Sequence, residues 1–212
     1  MVDLYLVTNI NACLGRKLED IVKLAVEGGV TMVQLREKEI DTRAFVERAI
    51  SLKKMLNFYN IPLIINDRID VALAIKADGI HVGQSDMPLD LLMDIVPKSM
   101  IIGISVETIE QAIKAVEYKV DYLGVSPVFA SPTKTHFNEK PWGLKGLKQL
   151  RAITNHKLVA IGGINTDNAA DVINAGADGL AVVSAICSAD KPGEAAVELL
   201  KIINNAKRIQ RR

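Results

Sequence analysis

The chain has 212 residues, 49% hydrophobic and 24% charged, a balance that excludes a disordered chain and fits one globular domain spanning 1–212. Lys and Arg total 26 against 25 Asp and Glu, a formal net charge of +1, which argues against a dedicated nucleic-acid or membrane-surface binder. Two cysteines without metal-type spacing, Cys13 and Cys187, lead us to expect a reduced, cytoplasmic protein in which both act as small apolar residues.

The opening Met1-Val2-Asp3-Leu4-Tyr5 has no basic stretch, so no signal peptide is expected, and no apolar run approaches the ~18 residues of a membrane span. In chain order, short runs rich in Val, Ile and Leu read as strands at Leu4–Thr8, Met32–Leu35, Leu63–Asn66, Gly79–Val82, Ile101–Ile104, Tyr122–Val125, Leu158–Ile161 and Leu180–Val183. Their near-continuous hydrophobicity is that of strands covered on both faces. Amphipathic segments between them read as helices, among them Leu18–Glu27, Thr42–Tyr59, Glu107–Glu117 and Thr166–Ala175, with Gly176 placed to end the last. A final helix, Pro192–Ala206, has Pro near its first turn, and the basic Lys207–Arg212 run reads as its solvated end.

Eight strands, each followed by a helix, predict an α/β fold of the (β/α)8 TIM-barrel type, single-domain and at the short end of its size range. A doubly wound open sheet is the alternative and would need fewer repeats. Gly28-Gly29-Val30, Ala77-Asp78-Gly79 and Ala177-Asp178-Gly179 echo one another, each turning a helix into a strand, and no Pro/Gly/Ser-rich linker divides the chain. One connection is unusual: Ser126 to Trp142, after the sixth strand, far exceeds the ~2–6 residues of an ordinary βα loop. Its Ser, Thr, Lys and His residues suggest an active-site lid, with Trp142 anchoring its end.

Active sites of such barrels lie at the C-terminal ends of the strands. There the sequence places Gln34, Arg36 and Lys38, alternating to one side of the second strand while Leu35 faces the other, then Asn66, Asp67, Gln84, Asp86, Ser105, Gly162-Gly163 and Ser184. Arg36, Lys38 and Lys134 suit an anion with several oxygens. Asp67 and Asp86 among these cations make a poor phosphate site unless a divalent ion such as Mg2+ bridges them. Backbone N–H groups of Gly162-Gly163 and around Ser184 offer a second phosphate cradle. Two anions, one a metal-bridged diphosphate, point to group transfer from a diphosphate. His81, inside an apolar strand, reads as a hydrogen-bonded interior residue, His156 as a surface residue at the opposite end, and His136 as a solvated lid residue.

The segments Tyr5-Leu6-Val7-Thr8, Val33-Gln34-Leu35-Arg36-Glu37-Lys38, Ile65-Asn66-Asp67-Arg68, Gly79-Ile80-His81-Val82-Gly83-Gln84, Pro132-Thr133-Lys134, Ala160-Ile161-Gly162-Gly163-Ile164 and Val182-Val183-Ser184-Ala185-Ile186 resemble, in order, the thiamine-phosphate synthase family. The resemblance covers nearly the whole chain. It implies a transferase that joins hydroxymethylpyrimidine diphosphate to thiazole phosphate, or to its carboxylated form, with Mg2+, releasing pyrophosphate through a pyrimidine methyl cation. It further implies that Gln34, Arg36, Lys38, Asn66 and Ser105 contact the pyrimidine diphosphate, and that Asp67 and Asp86 bind the metal. Ser131 and Thr133 would contact the thiazole phosphate, Lys134 the pyrophosphate, and Gly163, Val183 and Ser184 would form the phosphate cradle. Arg36, Lys38 and Lys134 would be the catalytic cations. Asn9 stands where an Asp is common, Ser126-Pro127 where Gly-Pro is usual, and Ser131 where the family has Thr. A thiazole tautomerase on the same barrel, with His136 as acid and base, is the nearest rival, ahead of a non-catalytic phosphate-binding barrel and a sugar-phosphate epimerase. Subunit number stays open, a homo-oligomer included.

Overall fold

The structure, a computed structural model, describes residues 2–130 and 140–210. Eight parallel strands close a barrel in sequence order: β1 (Leu4–Val7), β2 (Met32–Leu35), β3 (Leu63–Asn66), β4 (Gly79–Val82), β5 (Ile101–Val106), β6 (Tyr122–Val125), β7 (Leu158–Ile161) and β8 (Gly179–Val182). The barrel closes where Leu4, Tyr5 and Leu6 pair with Leu180, Ala181 and Val182, and this closure eliminates the open sheet. Around it run α1 (Leu18–Glu27), α2 (Thr42–Tyr59), α3 (Ile69–Ala74), α4 (Leu89–Ile95), α5 (Ile109–Val116), α6 (Gly143–Ile153), α7 (Ala169–Asn174), a short α8 (Ser184–Cys187) and α9 (Pro192–Gln210). Among the described residues, no helix is long and apolar enough to cross a membrane.

The strand period of two sorts every second side chain to one face. Leu4, Leu6, Val33, Leu35, Leu63, Ile65, Ile80 and Val82 pack outward against the helices, whereas Tyr5, Val7, Met32, Ile64, Tyr122, Val159 and Ala181 form a separate cluster inside the barrel. Both faces are therefore apolar over most of the barrel height, which is why the strands carry little polar punctuation. Polar inward residues begin only near the C-terminal ends, at Gln34, Asn66, His81, Ser105 and Ser126.

Several boundaries differ from the sequence expectation. β5 continues to Val106 because Ile104, Ser105 and Val106 pair with Leu123, Gly124 and Val125, so Ser105 lies within a strand rather than beyond it. β1 and β8 end a residue earlier than expected, and Val183 instead bends out with φ −114 and ψ −84 to open α8. The helix expected over 107–117 starts at Ile109. The Thr108 side chain accepts from the Gln111 N–H at 3.2 Å, and the Gln111 side chain accepts from the Glu107 N–H at 2.7 Å, a reciprocal cap. The helix expected from 166 begins at Ala169, because Asn165 and Asn168 side chains accept the Asp167 and Asn165 N–H groups and hold the chain in turns. α9 runs on to Gln210, whose side chain donates to the Ile173 carbonyl at 2.9 Å.

At the N-terminal face, Asp78, Asp121 and Asp178 precede β4, β6 and β8. Each carboxylate accepts a main-chain N–H from the preceding strand, of Leu63 at 2.9 Å, Ile102 at 2.8 Å and Leu158 at 2.9 Å. The Ala-Asp-Gly echoes are thus a structural clasp repeated on alternate strands. Gly28-Gly29-Val30 carries no carboxylate and shares only the helix-to-strand position.

Two further features tie the loops at the opposite, C-terminal face. Glu37, between Arg36 and Lys38, points away from the mouth, is buried, and ion-pairs with Arg48 of α2. Arg16 donates to the carbonyls of Cys13 at 3.1 Å, Cys187 at 2.7 Å and Ala189 at 2.7 Å, joining the β1–α1 loop to the segment after β8. The two cysteines are fully buried beside one another under this bridge, with the Cys13 thiol 3.3 Å from the Asn9 carbonyl. Burial pushes both thiols up, Cys187 to about 12.

Arg48→Met leaves the buried Glu37 carboxylate unpaired and is expected to lower unfolding free energy by about 3 kcal/mol in urea titration. Neither native thiol is expected to react with a maleimide at pH 8, and both should react once the chain is unfolded. Because the folded thiols hold their protons beyond the usual thiol range, the folded state binds more protons than the unfolded state between about pH 8.5 and 12. Stability should therefore fall as pH rises through that window, and Cys187→Ala should flatten the fall seen in alkaline denaturant titrations.

Candidate active site

The C-terminal ends of the strands enclose two adjoining cavities. The first, about 410 Å³, lies over the middle of the barrel and is lined by Gln34, Arg36, Lys38, Asn66, Asp67, Asp86 and Ser105 among others. The second, about 440 Å³, lies over β7, β8 and β1 and is lined by Gly162, Gly163, Val183 and Ser184. Arg36 lines both, as do Val7, Ser126, Ile161 and Ala181, so one guanidinium can face ligands in each. A larger cavity of about 1000 Å³ opens at the N-terminal face, around Asn60, Lys76, Asp78 and Met100. Its one carboxylate is committed to the Leu63 N–H and to Lys53, so nothing convergent is left there for chemistry.

In the first cavity the cations and carboxylates meet as the spacing predicts. Leu35 packs outward while Gln34, Arg36 and Lys38 line the cavity. The Arg36 N–H donates to the buried Thr8 hydroxyl at 3.0 Å, which fixes the chain where it leaves β2. Asp67 adopts φ 58, a left-handed conformation that Asp tolerates better than most residues, and its N–H donates to the His81 carbonyl at 2.8 Å. The turn sets the Asp67 carboxylate against Lys38, with which it forms an ion pair, and beside Asp86. Burial lifts the Asp67 carboxyl above the usual carboxylate range, Lys38 pulls it back, and the neighbouring Asp86 carboxylate adds to the lift. Asp86 itself accepts the Gly83 N–H at 2.7 Å.

Two adjacent carboxylates and a cation form a hard-oxygen site. It suits Mg2+, which takes one or two carboxylates and completes its shell with phosphate oxygens and water. Among the described residues no three His, Cys, Asp or Glu side chains gather into a metal cage. Asn66 donates to the Asp67 carboxylate at 2.8 Å, and its Oδ1 is the one buried side-chain polar atom among the described residues that lacks a partner. That acceptor lines the cavity.

In the second cavity the β7 chain turns through Gly162 and Gly163 at φ 106 and 64, conformations that other L-residues rarely adopt. A Cβ on Gly163 would lie 2.7 Å from the Ala130 carbonyl, so the turn is also packed too closely for a side chain. Asn168 holds it by donating to the Gly163 carbonyl at 2.9 Å. Across the cavity, Val183 and Ser184 open α8. The two walls of exposed backbone face each other over a space suited to a small anion.

The long connection after β6 starts with the cis Ser126–Pro127 peptide and is closed at its base. Trp142 N–H donates to the Pro127 carbonyl at 2.9 Å, Gly143 N–H to Val128 at 2.9 Å, and the Trp142 ring to Val106 at 3.2 Å, so Trp142 is the anchor its position suggests. Ser131, Thr133, Lys134 and His136 lie outside the described residues.

Other groups at this site escaped the sequence reading. Tyr5 and Tyr122 line the first cavity from below, hydrogen-bonded to each other at 3.0 Å, and His81 joins them. The interior, hydrogen-bonded placement of His81 is as expected, but its ring also faces the cavity. A signal was present: Gly103 and Gly124, in-strand glycines, mark close approach of a neighbouring group. A Cβ on Gly103 would fall on the Tyr122 ring and 2.6 Å from His81 Nδ1, and one on Gly124 would lie 2.9 Å from the His81 ring.

Comparison with known proteins matches this geometry to one family. The profile described as thiamine monophosphate synthase matches residues 4–186. The thiamine-phosphate synthase of Albidiferax ferrireducens is 55% identical over 201 residues, covering 95% of this chain and 91% of that protein. That of Vibrio campbellii is 49% identical over 200 residues, covering 94% and 97%. The solved thiamine phosphate pyrophosphorylase of Pyrococcus furiosus superposes with a TM-score of 0.89 at 36% identity, over 97% of this chain and 96% of that one. With matches of this extent, the chain belongs to the thiamine monophosphate synthase family and is a transferase.

Proposed function

We propose that the chain joins hydroxymethylpyrimidine diphosphate in the first cavity to thiazole phosphate, or its carboxylated form, in the second, giving thiamine phosphate and pyrophosphate. The observation that carries this reading is the pair of adjoining anion-suited cavities with Arg36 at their junction. Coupling of two phosphorylated molecules needs two such sites with their reactive ends in contact, whereas a thiazole isomerase has no use for the Asp67–Asp86 pair.

The C–O bond to the diphosphate breaks first, and its electron pair leaves with pyrophosphate. The resonance-stabilised pyrimidine methyl cation that remains is captured by the thiazole ring nitrogen, which supplies the pair for the new C–N bond. No general base is required. Arg36 and Lys38 lie where negative charge grows on the leaving group, and fixed cations in a partly desolvated site favour that charge more than bulk water would. Lys134 is assigned the same task by the family resemblance, and Ser131 and Thr133 the thiazole phosphate. Asp67 and Asp86 would hold Mg2+, which supplies further positive charge against the departing diphosphate. Lys38, now paired with Asp67, would then be shared between carboxylate and phosphate oxygens. Gly163, Val183 and Ser184 would hold the thiazole phosphate, while Gln34, Asn66 and Ser105 face the pyrimidine. Two reduced, buried cysteines fit a cytoplasmic enzyme.

Purified protein mixed with both substrates and Mg2+ should form thiamine phosphate, read by its fluorescent oxidation product, and a chelator should abolish it. Absence of product from folded protein would overturn the reading. Asp67→Asn and Asp86→Asn should each lower turnover by about a hundredfold at limiting Mg2+, with part of the loss recovered at higher concentration. Gly163→Ala should raise the KM for thiazole phosphate by roughly tenfold and leave that for the diphosphate unchanged, because the added methyl strains the β7 turn and collides with the Ala130 carbonyl, both at the second cavity.

A further inference from the structure

The two cavities at the barrel mouth meet at five shared residues: Val7 on β1, Arg36 after β2, Ser126 after β6, Ile161 on β7 and Ala181 on β8. Three of these side chains are aliphatic, and one is a guanidinium that keeps its charge. Ser126 is the fifth, and among the described residues it alone brings an uncharged polar side chain to this crossing. Backbone bonds hold it there. Its N–H donates to the Val106 carbonyl at 3.1 Å, which extends the β5–β6 ladder past Val125. Two residues on, the Val128 N–H donates to the Ile161 carbonyl at 2.8 Å. The strand period does the aiming: Leu123 and Val125 pack outward under the helices, while Tyr122, Gly124 and Ser126 face the cavity.

Ser126 is only 6% exposed, yet its hydroxyl is not spent on the protein. Among the described residues its Oγ makes no hydrogen bond, and it is not one of the atoms closed off from solvent. It therefore opens into the crossing.

The coupling proposed above moves one carbon from a diphosphate oxygen in the first cavity to a ring nitrogen in the second. That carbon is bonded first to a ligand on one side and then to a ligand on the other, so it must lie at the crossing. Between the two bonds it is a cation open to any nearby lone pair. Capture by the thiazole nitrogen gives the coupled product. Capture by water forms a C–O bond, releases a proton to solvent and leaves the pyrimidine alcohol, with the diphosphate wasted. What fills the crossing decides between these fates. The –CH2OH of a serine takes up roughly the ~30 Å³ of one water molecule. Its hydroxyl is a poor rival nucleophile, because none of the other four side chains at the crossing can accept its proton.

We propose that Ser126 is a specificity-determining residue of the coupling: its side chain fills the place of a water beside the reacting carbon and so directs the cation to the thiazole nitrogen. The inference rests on the two-cavity reading of function and adds what separates coupling from hydrolysis.

The parent protein, Ser126→Ala and Ser126→Gly are each incubated with both substrates and Mg2+ in water labelled with heavy oxygen. Thiamine phosphate and the pyrimidine alcohol are then quantified by chromatography and mass spectrometry. Label in the alcohol marks C–O cleavage followed by water capture, whereas unlabelled alcohol marks hydrolysis at phosphorus and is subtracted. The ratio of labelled alcohol to thiamine phosphate should rise about twofold in Ser126→Ala, which keeps Cβ, and about fivefold in Ser126→Gly, which clears the side chain. The KM for either substrate should change by less than about twofold. Both products come from one cation, so a variant that is merely less stable or less abundant leaves their ratio unmoved. Lower turnover at an unchanged ratio in both variants would make Ser126 a donor to the leaving group and overturn the proposal. A pyrimidinylmethyl adduct on Ser126 of the parent, seen by intact mass, would make it a competitor for the cation and overturn it too. No thiamine phosphate from folded parent protein would overturn the functional reading and this inference with it, whereas parent product with an unmoved ratio overturns the inference alone.

Discussion

A closed sheet has no edge but two faces, and both must be filled. In this barrel that requirement organises nearly everything else. The outer face is satisfied by aliphatic side chains under the helices, and the inner face by a narrow column in which Gly103 makes room for Tyr122 and Gly124 for His81. In an interior packed this closely, an inward polar residue finds its partner on another strand. The hydrogen bonds that join Gln34, Tyr5, Tyr122, His81 and Ser105 across five strands follow from that requirement.

The two ends of the barrel divide the work. At the N-terminal face, carboxylates are spent on main-chain N–H groups, as Asp78, Asp121 and Asp178 show. At the C-terminal face Asp67 and Asp86 face each other, Asp67 shared only with Lys38, Asn66 and this like-charged neighbour. Asp86 keeps one backbone donor, the Gly83 N–H, whereas the Asp67 carboxylate meets side chains, so identical residues are held by different means at the two ends.

Much of this division could be read from the sequence. Eight apolar runs with polar residues at their ends located the mouth. The two-residue period correctly separated Arg36 and Lys38 from Leu35, and it also assigns Glu37 to the helix side, where Arg48 receives it. The Gly162-Gly163 turn and Trp142 were legible because Gly and Trp have few alternative uses at such positions. Tyr5, Tyr122 and the cavity face of His81 were not, because within an apolar run a tyrosine is indistinguishable from another core residue until strand register is known. Register places His81 opposite Gly103 and Gly103 opposite Tyr122, and only this brings the three rings together. The helix starts at Ile109 and Ala169 were blurred for a more local reason: side-chain caps and turns delay a helix without changing its hydrophobic period.

The base of the long connection after β6 has a consequence for how this barrel changes over time. Its two ends are fastened side by side by main-chain bonds, from Trp142 to Pro127 and from Gly143 to Val128, that ask nothing of the side chains between them. Once the ends are fixed, closing a loop of twice the length costs only about 0.6 kcal/mol more in chain entropy. The segment is therefore an exchangeable cassette, open to insertion, deletion or wholesale replacement while the eight strands stay in register. Residues carried on it can diverge faster than those on the strand ends.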